Sequence, residues 1–223
     1  LRLAAAGQLA AHTPRPRASA DAMLSVQVHE SSANNAVERL GLAGRRATLE
    51  ELIRMVCAKI GAEPRIPDEL PEGVAVSFAE VQPLRVECRD GLVHVWVKLD
   101  AIESGRRDWV DIVAHVTYRP VCSGLQVFLE RDGPIRLSGP GHEGRMELAL
   151  RTIFGKIFPK ERPIALVPER IVADPRFTGM QAVQAVSSDG WLAIVIEQVT
   201  VAQPAEKPAD KRAADVRRKV IFR

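Results

Sequence analysis

The sequence predicts an α+β domain: a curved antiparallel β-meander sheet with two to three amphipathic helices packed on one face. Three observations carry this. Apolar residues alternate with polar ones from Val74 to Leu137, the period of a half-buried strand. Asp90-Gly91 and Asp189-Gly190 sit between such runs, the strongest short hairpin signal. Met146, Leu150, Ile153, Phe154, Ile157 and Phe158 fall at i, i+4, i+7, i+8, i+11 and i+12, one apolar stripe of a helix.

The elements follow in order. Met23–Val28 reads as a strand. Ser31 or Ser32 is suited to cap a short helix that places Ala33, Val37 and Leu40 on one side and ends at Gly41 and Gly44. Thr48 with Glu51 makes a capping box, opening a helix whose stripe is Leu49, Leu52, Ile53, Val56, Cys57 and Ile60. Pro64, Pro67 and Pro71 mark a loop. Five or six strands then follow, on Val74–Phe78, Leu84–Cys88, Val93–Leu99, Val110–Tyr118, Leu125–Leu129 and Ile135–Leu137. Residues 120–124, with Pro120 and Gly124, read as a loop, and Asp132-Gly133 as a turn. The third helix spans 143–158 and ends at Pro159 and Pro163; Glu147 and Arg151 form an exposed i,i+4 pair on it. Ile164–Val167 is a short strand, and Gln181–Ser187 with Trp191–Val199 form a last hairpin. The run from Trp191 to Ile196 is apolar at every position, so that strand is expected to be covered on both faces.

The chain has 223 residues, 46% of them apolar, and a net charge of +3. That suits a soluble globular fold of one domain, with two conceivable. Residues 202–223 hold seven basic and three acidic residues, which leaves 24 basic against 25 acidic elsewhere. The body is therefore neutral, and with one Tyr and few aromatics it lacks the basic surface of a nucleic-acid binder. No apolar run approaches ~18 residues, so no transmembrane helix is expected. Cys57, Cys88 and Cys122 form no C-x-x-C; Cys57 and Cys88 read first as small apolar residues, Cys122 falls in the loop at 120–124, and one bridge stays open. The expected division is 1–22 as the end of a preceding module or a linker, 23–201 as the folded domain, and 202–223 as a charged flexible linker or tail. Ala18-Ser19-Ala20 is also compatible with a signal-peptide cleavage site, behind a weakly apolar stretch. Val220-Ile221-Phe222 reads as the start of another strand in a longer parent chain.

Motifs that carry chemistry are sparse. Gly139-Pro140-Gly141-His142-Glu143-Gly144 has the spacing of a dinucleotide loop. Its preceding strand is amphipathic and belongs to a meander, whereas a nucleotide-binding strand is parallel and buried on both faces. A flexible strand-to-helix turn explains it better. A weaker option is an anion site at Gly141, Gly144 and Arg145. His94 and His115 fall on the polar face of two strands and, with Asp111, are one candidate metal or acid–base cluster; solvent-side histidines of a half-buried sheet are the simpler reading. Asp100, Glu103, Asp108 and Asp111 read as a solvated turn before they read as paired carboxylates. No G-x-S-x-G exists. His29-Glu30-Ser31-Ser32 is accounted for by a strand end and a helix cap. No catalytic residue, metal or cofactor is expected.

The opening Val26-Gln27-Val28-His29-Glu30-Ser31, followed by Asn34-Asn35-Ala36, resembles the strand-then-helix start of the tubular lipid-binding superfamily and related β-rich lipid-transfer modules of the bacterial envelope. Asp189-Gly190-Trp191 before an apolar strand is similar too, and the likeness covers about 23–200. Ala33 departs from it, standing where a large apolar residue is usual. The same layout also looks like that of uncharacterised bacterial proteins that carry it at the end of longer chains. The resemblance implies a curved sheet wrapped on a helix, no catalytic residues, and an apolar interior able to hold an acyl chain. It further implies a place in the cell envelope or periplasm, with the cytoplasm still open. The expected function is thus a non-enzymatic module that binds a lipid or another amphiphile, or a structural segment of a larger protein. In the first case the Met146–Phe158 stripe lines a cavity; in the second it fills a core. Two alternatives stand beside it: a scaffold that holds a protein partner by a sheet edge or the basic tail, and a small enzyme built on His94, His115 and Asp111.

Overall fold

The computed structural model describes residues 15, 22–52, 54, 73–104, 107–140, 150–152, 154–155, 157–158, 160 and 163–198. In these residues the chain forms β1 (Leu24–His29), α1 (Glu30–Glu38), β2 (Arg46–Thr48), β3 (Val74–Phe78), β4 (Leu84–Arg89), β5 (Leu92–Ser104) and β6 (Arg107–Ser123). They are followed by β7 (Gln126–Arg131), β8 (Arg136–Ser138), β9 (Ile164–Ala165), α2 (Glu169–Val172), β10 (Met180–Ser188) and β11 (Trp191–Gln198). The structure is dominated by antiparallel sheet with little helix, and the larger sheet curls into a half-barrel. Residues 49–52 and 150–152 are helical. The linker 202–223, the Pro64–Pro71 loop, Cys57 and most of the 1–22 segment lie outside the described residues.

The long β5–β6 hairpin is the spine of the eight-stranded sheet. Its pairing runs from Val93↔Tyr118 to Ser104↔Arg107. On the free side of β5, β4 pairs with the first half and β3 with the second. On the free side of β6, β8 pairs with residues 113–115 and β7 with residues 118–123. Asp132-Gly133 therefore makes no hairpin. It lets one path along β6 break and resume, since β7 and β8 both run antiparallel to β6. Residues 120–123, expected in a loop, are the last four of β6: Pro120 pairs with Leu129 and Cys122 with Val127.

One face of this sheet is the main core. Val93, Val97, Leu99, Ile112, Ala114, Val116 and Tyr118 are buried there with Val74, Val76 and Phe78 of β3. Leu49, Leu150 and Phe154 join the same cluster from the helical segments, and Ile157 and Phe158 pack against it partly buried. The Thr48 capping box forms in both directions, with the Thr48 amide donating to Glu51 Oε2 at 2.9 Å and the Glu51 amide to Thr48 Oγ1 at 3.2 Å.

A second sheet is the main departure from a single curved meander. β1 pairs with β11, which pairs with β10. Leu24 thus faces Ile196 across about 170 residues of chain, a partnership that period-two patterning does not encode. Trp191, Ala193, Ile194, Val195 and Ile196 are all buried, so β11 is covered on both faces, as its unbroken apolar run requires.

The two sheets are joined at the edge of β4. α1 begins two residues earlier than its serines suggest, with His29 as the N-cap accepting from the Ser31 amide. The helix then presents Glu30 and Asn34, four residues apart and on one side. Asn34 replaces a strand: its Nδ2 donates to the Val86 carbonyl at 2.9 Å and its Oδ1 accepts from the Val86 amide at 2.7 Å. Glu30 Oε2 accepts from the Cys88 amide at 2.9 Å. The β10–β11 turn completes the set, with Gly190 N donating to the Cys88 carbonyl and its oxygen accepting from Glu30 N, both at 2.8 Å. Gly190 has φ +80°, and a Cβ there would lie 3.0 Å from His29 Nε2. Only glycine suits that place.

Replacing Asn34 by Ala leaves the Val86 amide and carbonyl without their partner. The expected loss is about 1–3 kcal/mol of stability, read as a lower urea midpoint at unchanged slope. An unchanged midpoint would show that the β4 edge does not depend on α1.

Candidate functional site

The outer face of the large sheet carries the densest polar and aromatic cluster among the described residues. Strand register places it. Arg85, Trp96, His115 and Arg136 stand in one row across four strands, and Glu87, His94 and Thr117 in the next. The side-chain period of two turns all of them away from the core.

His94 and His115 meet directly, with Nδ1 of His94 3.0 Å from Nε2 of His115. Their rings are within 10° of parallel and their centroids 5.3 Å apart. That spacing is the N···N distance plus about two ring radii, so the hydrogen bond runs in the shared ring plane. One imidazole donates and the other accepts. Trp96 lies parallel to both, its centroid 4.6 Å from His115 and 5.5 Å from His94. The Arg85 and Arg89 guanidiniums stand 6.0 and 5.8 Å from the Trp96 ring, within cation–π range. Both also pair with Glu87, Arg89 at 3.3 Å.

His94 is only 7% exposed, and its Nε2 has no hydrogen-bond partner among the described residues. Burial, then the Arg89 charge, hold its pKa below the ordinary imidazole value. Burial lowers His115 as well, followed by the His94, Arg136 and Arg89 charges. Both shifts favour the neutral imidazoles; each neutral ring carries one N–H, and one of the two is donated across the pair.

The structure brings together two of the three expected acid–base residues and leaves out the third. Asp111 lies four residues from His115 along β6, roughly 14 Å at ~3.4 Å per residue, and it adopts φ +53°. Glu87, beside His94 in the register, is bound by Arg85 and Arg89. No group of three or more metal-ligating side chains occurs among the described residues. Two in-plane nitrogens 3.0 Å apart and aimed at each other fit a shared proton, since a metal bound between them would need them farther apart.

The other candidates sort as follows. Leu150 and Phe154 of the stripe are fully buried in the core, and Ile157 and Phe158 are half-buried; Met146 and Ile153 lie outside the described residues. Gly141, Gly144 and Arg145 also lie outside them. Gly139 is described, and its role is close approach: a Cβ there would sit 2.3 Å from the Asp111 carbonyl oxygen. Cys88 and Cys122 are free thiols, and burial raises Cys88 to about 11, which makes it a poor nucleophile.

Sequence reading missed the company of the two histidines, namely Arg85, Glu87, Arg89, Trp96 and Arg136. The signal was present as phase. Arg85, Glu87 and Arg89 alternate with Val86 and Cys88, and Trp96 is two residues from His94. Only register tells which rows meet.

No protein-family model matches the chain, and no curated protein matches it.

A second surface feature is β1. Leu24, Val26 and Val28 share one face and are 44%, 42% and 37% exposed. They continue the row of Ile196, Ile194 and Leu192 on β11, yet the cover over Ile194 and Ile196 stops short of them.

The histidine pair dictates a pH response. The unfolded chain protonates its histidines near pH ~6.5, while the folded chain holds both values lower. Stability should fall as pH drops through the ordinary value and go on falling until the lowered native values are passed. The thermal midpoint is expected to be lower at about pH 5.5 than at about 7.5, and His94→Gln or His115→Gln should shrink that difference. A wild-type difference preserved in both variants would place the response elsewhere.

Proposed function

We propose that this chain is a non-enzymatic interaction module that receives a polypeptide partner along β1. The observation that carries the reading is the exposed apolar row Leu24, Val26 and Val28 on β1, the end strand of the smaller sheet among the described residues. An exposed row of alternating apolar side chains offers an extended segment contact area and selectivity. The packing of the helical segments together on one face of the curled sheet belongs to the same proposal, because it leaves the second sheet free to act as the binding element.

A second reading keeps an amphiphile as the ligand, in a module of the bacterial envelope. It is supported by Ile157 and Phe158, which carry the Leu150–Phe154 stripe towards the surface half-buried. The full burial of Leu150 and Phe154 supports a filled core more than a lined cavity, so this reading stands second. Native and denaturing mass spectra of one purified sample separate the two. The amphiphile reading expects an added mass of acyl-lipid size that is lost on denaturation, and a bare chain mass would end it.

A benzophenone amino acid placed at position 26 in producing cells tests the leading reading. It is expected to give a crosslinked polypeptide, and the same group at Val110, exposed on β6, is not. Equal crosslinking at both positions, or none at 26, would remove β1 as the binding strand.

A further inference from the structure

The outer face of the large sheet carries more positive charge than it pairs. Arg85, Arg89, Lys98 and Arg136 are exposed there, against the carboxylates of Glu87 and Asp90. Glu87 pairs with Arg85 and Arg89, and Asp90 stands 3.9 Å from Arg89. Arg136 and Lys98 form no ion pair among the described residues. Two positive charges are therefore left over. The histidines report the same excess. After burial and His94, the Arg136 and Arg89 charges depress the His115 value, and each outweighs Glu87.

The cations are also placed in order. Register runs Arg85, Trp96, His115 and Arg136 across four strands, a row of roughly 14 Å at ~4.8 Å per strand. Lys98 lies two residues along β5 from Trp96, on the same face. The Arg85 and Arg89 guanidiniums are held by Glu87 and against the Trp96 ring, so less freedom is lost when they bind a ligand. In the middle of the row, His115 uses Nε2 for His94. Its other nitrogen, Nδ1, has no partner among the described residues and is not closed off from solvent. When His94 Nδ1 is the donor of the pair, His115 Nδ1 carries the N–H and adds a donor to the row.

Guanidiniums at both ends and a free N–H between them complement a chain of oxyanions. One phosphate reaches one end of the row, whereas linked phosphates span more of it and match the surplus charge. We infer that this row binds a ligand with linked phosphates, held by Arg136 at one end, by Arg85 and Arg89 at the other, and by His115 Nδ1–H between them. Arginine suits the task because its planar fork meets phosphate oxygens in pairs. The phosphate chain is the recognised part. His115 stacks on Trp96 from β6 and the two arginines approach it from β4, so no face of the indole remains for a base. The site is separate from β1 and does not depend on the partner proposed there.

Inorganic tripolyphosphate, titrated into the full chain at fixed ionic strength, tests it by calorimetry and by nitrogen NMR of the histidine rings. Saturable binding is expected, with His115 Nδ1 resonating as an N–H nitrogen in the complex and the His29 ring unmoved. Arg136→Gln and Arg85→Gln, at opposite ends of the row, should each weaken binding about tenfold, since a hydrogen bond to a charged group is lost; circular dichroism checks that both fold. ATP is expected to bind as tightly as tripolyphosphate. Tighter binding of ATP that the same two variants weaken would keep the site and make a nucleotide its ligand. No saturable binding to the wild type, a His115 signal that tripolyphosphate leaves in place, or binding that both folded variants keep in full would overturn the inference.

Discussion

The edge of β4 is the constraint on which the rest of the molecule depends. A sheet edge exposes rows of amide and carbonyl groups that must find partners. Here they find them in α1 and in the turn between β10 and β11. Asn34 takes both groups of Val86, Glu30 takes the Cys88 amide, and Gly190 takes the Cys88 carbonyl. Each contact also joins two parts of the fold. Together they dock the second sheet on the first, fix where β1 ends, and hold the β10–β11 turn in place. Ser187 adds a bond from its hydroxyl to the Leu92 carbonyl at 2.7 Å, beside the same junction.

Once that junction is set, the two faces of the large sheet take different roles. The inner face is filled by strand residues and by Leu49, Leu150 and Phe154. The outer face collects what the pleat excludes from the core. That is how a hydrogen-bonded histidine pair comes to lie on Trp96 under two arginines. The arginines are held by Glu87, and the Arg89 charge opposes protonation of both imidazoles, with Arg136 adding to it at His115. Four strands contribute to the cluster, so its protonation is tied to the pairing of β4, β5, β6 and β8.

Much of the fold was legible from local rules. The Asp90-Gly91 and Asp189-Gly190 turns are where the spacing placed them, with both residues of each at positive φ, as the two-residue hairpin demands. The Thr48–Glu51 box forms as read. Three expectations failed for one reason. Pro120–Ser123 was read as loop because proline disfavours an interior strand, yet these residues pair with β7. Asp132-Gly133 was read as a turn between partners, yet both flanking strands pair with β6. The cap of α1 was placed on a serine, yet His29 takes it because the junction with Gly190 sets the helix start. In each case a non-local partner outweighed a local preference.

The sequence by itself determined the alternation of the strands, the hairpin turns, the capping box and the apolar identity of β11. These depend on neighbours within a few residues, where backbone sterics and side-chain period act directly. The tertiary structure alone decided that β1 joins β11 in a sheet apart from β5 and β6, that His94 and His115 hydrogen-bond each other, and that Asp111 stands apart from them. These are questions of register between strands distant in the chain. Register is chosen by the summed burial of whole faces and the pairing of whole edges, which no short stretch of residues contains.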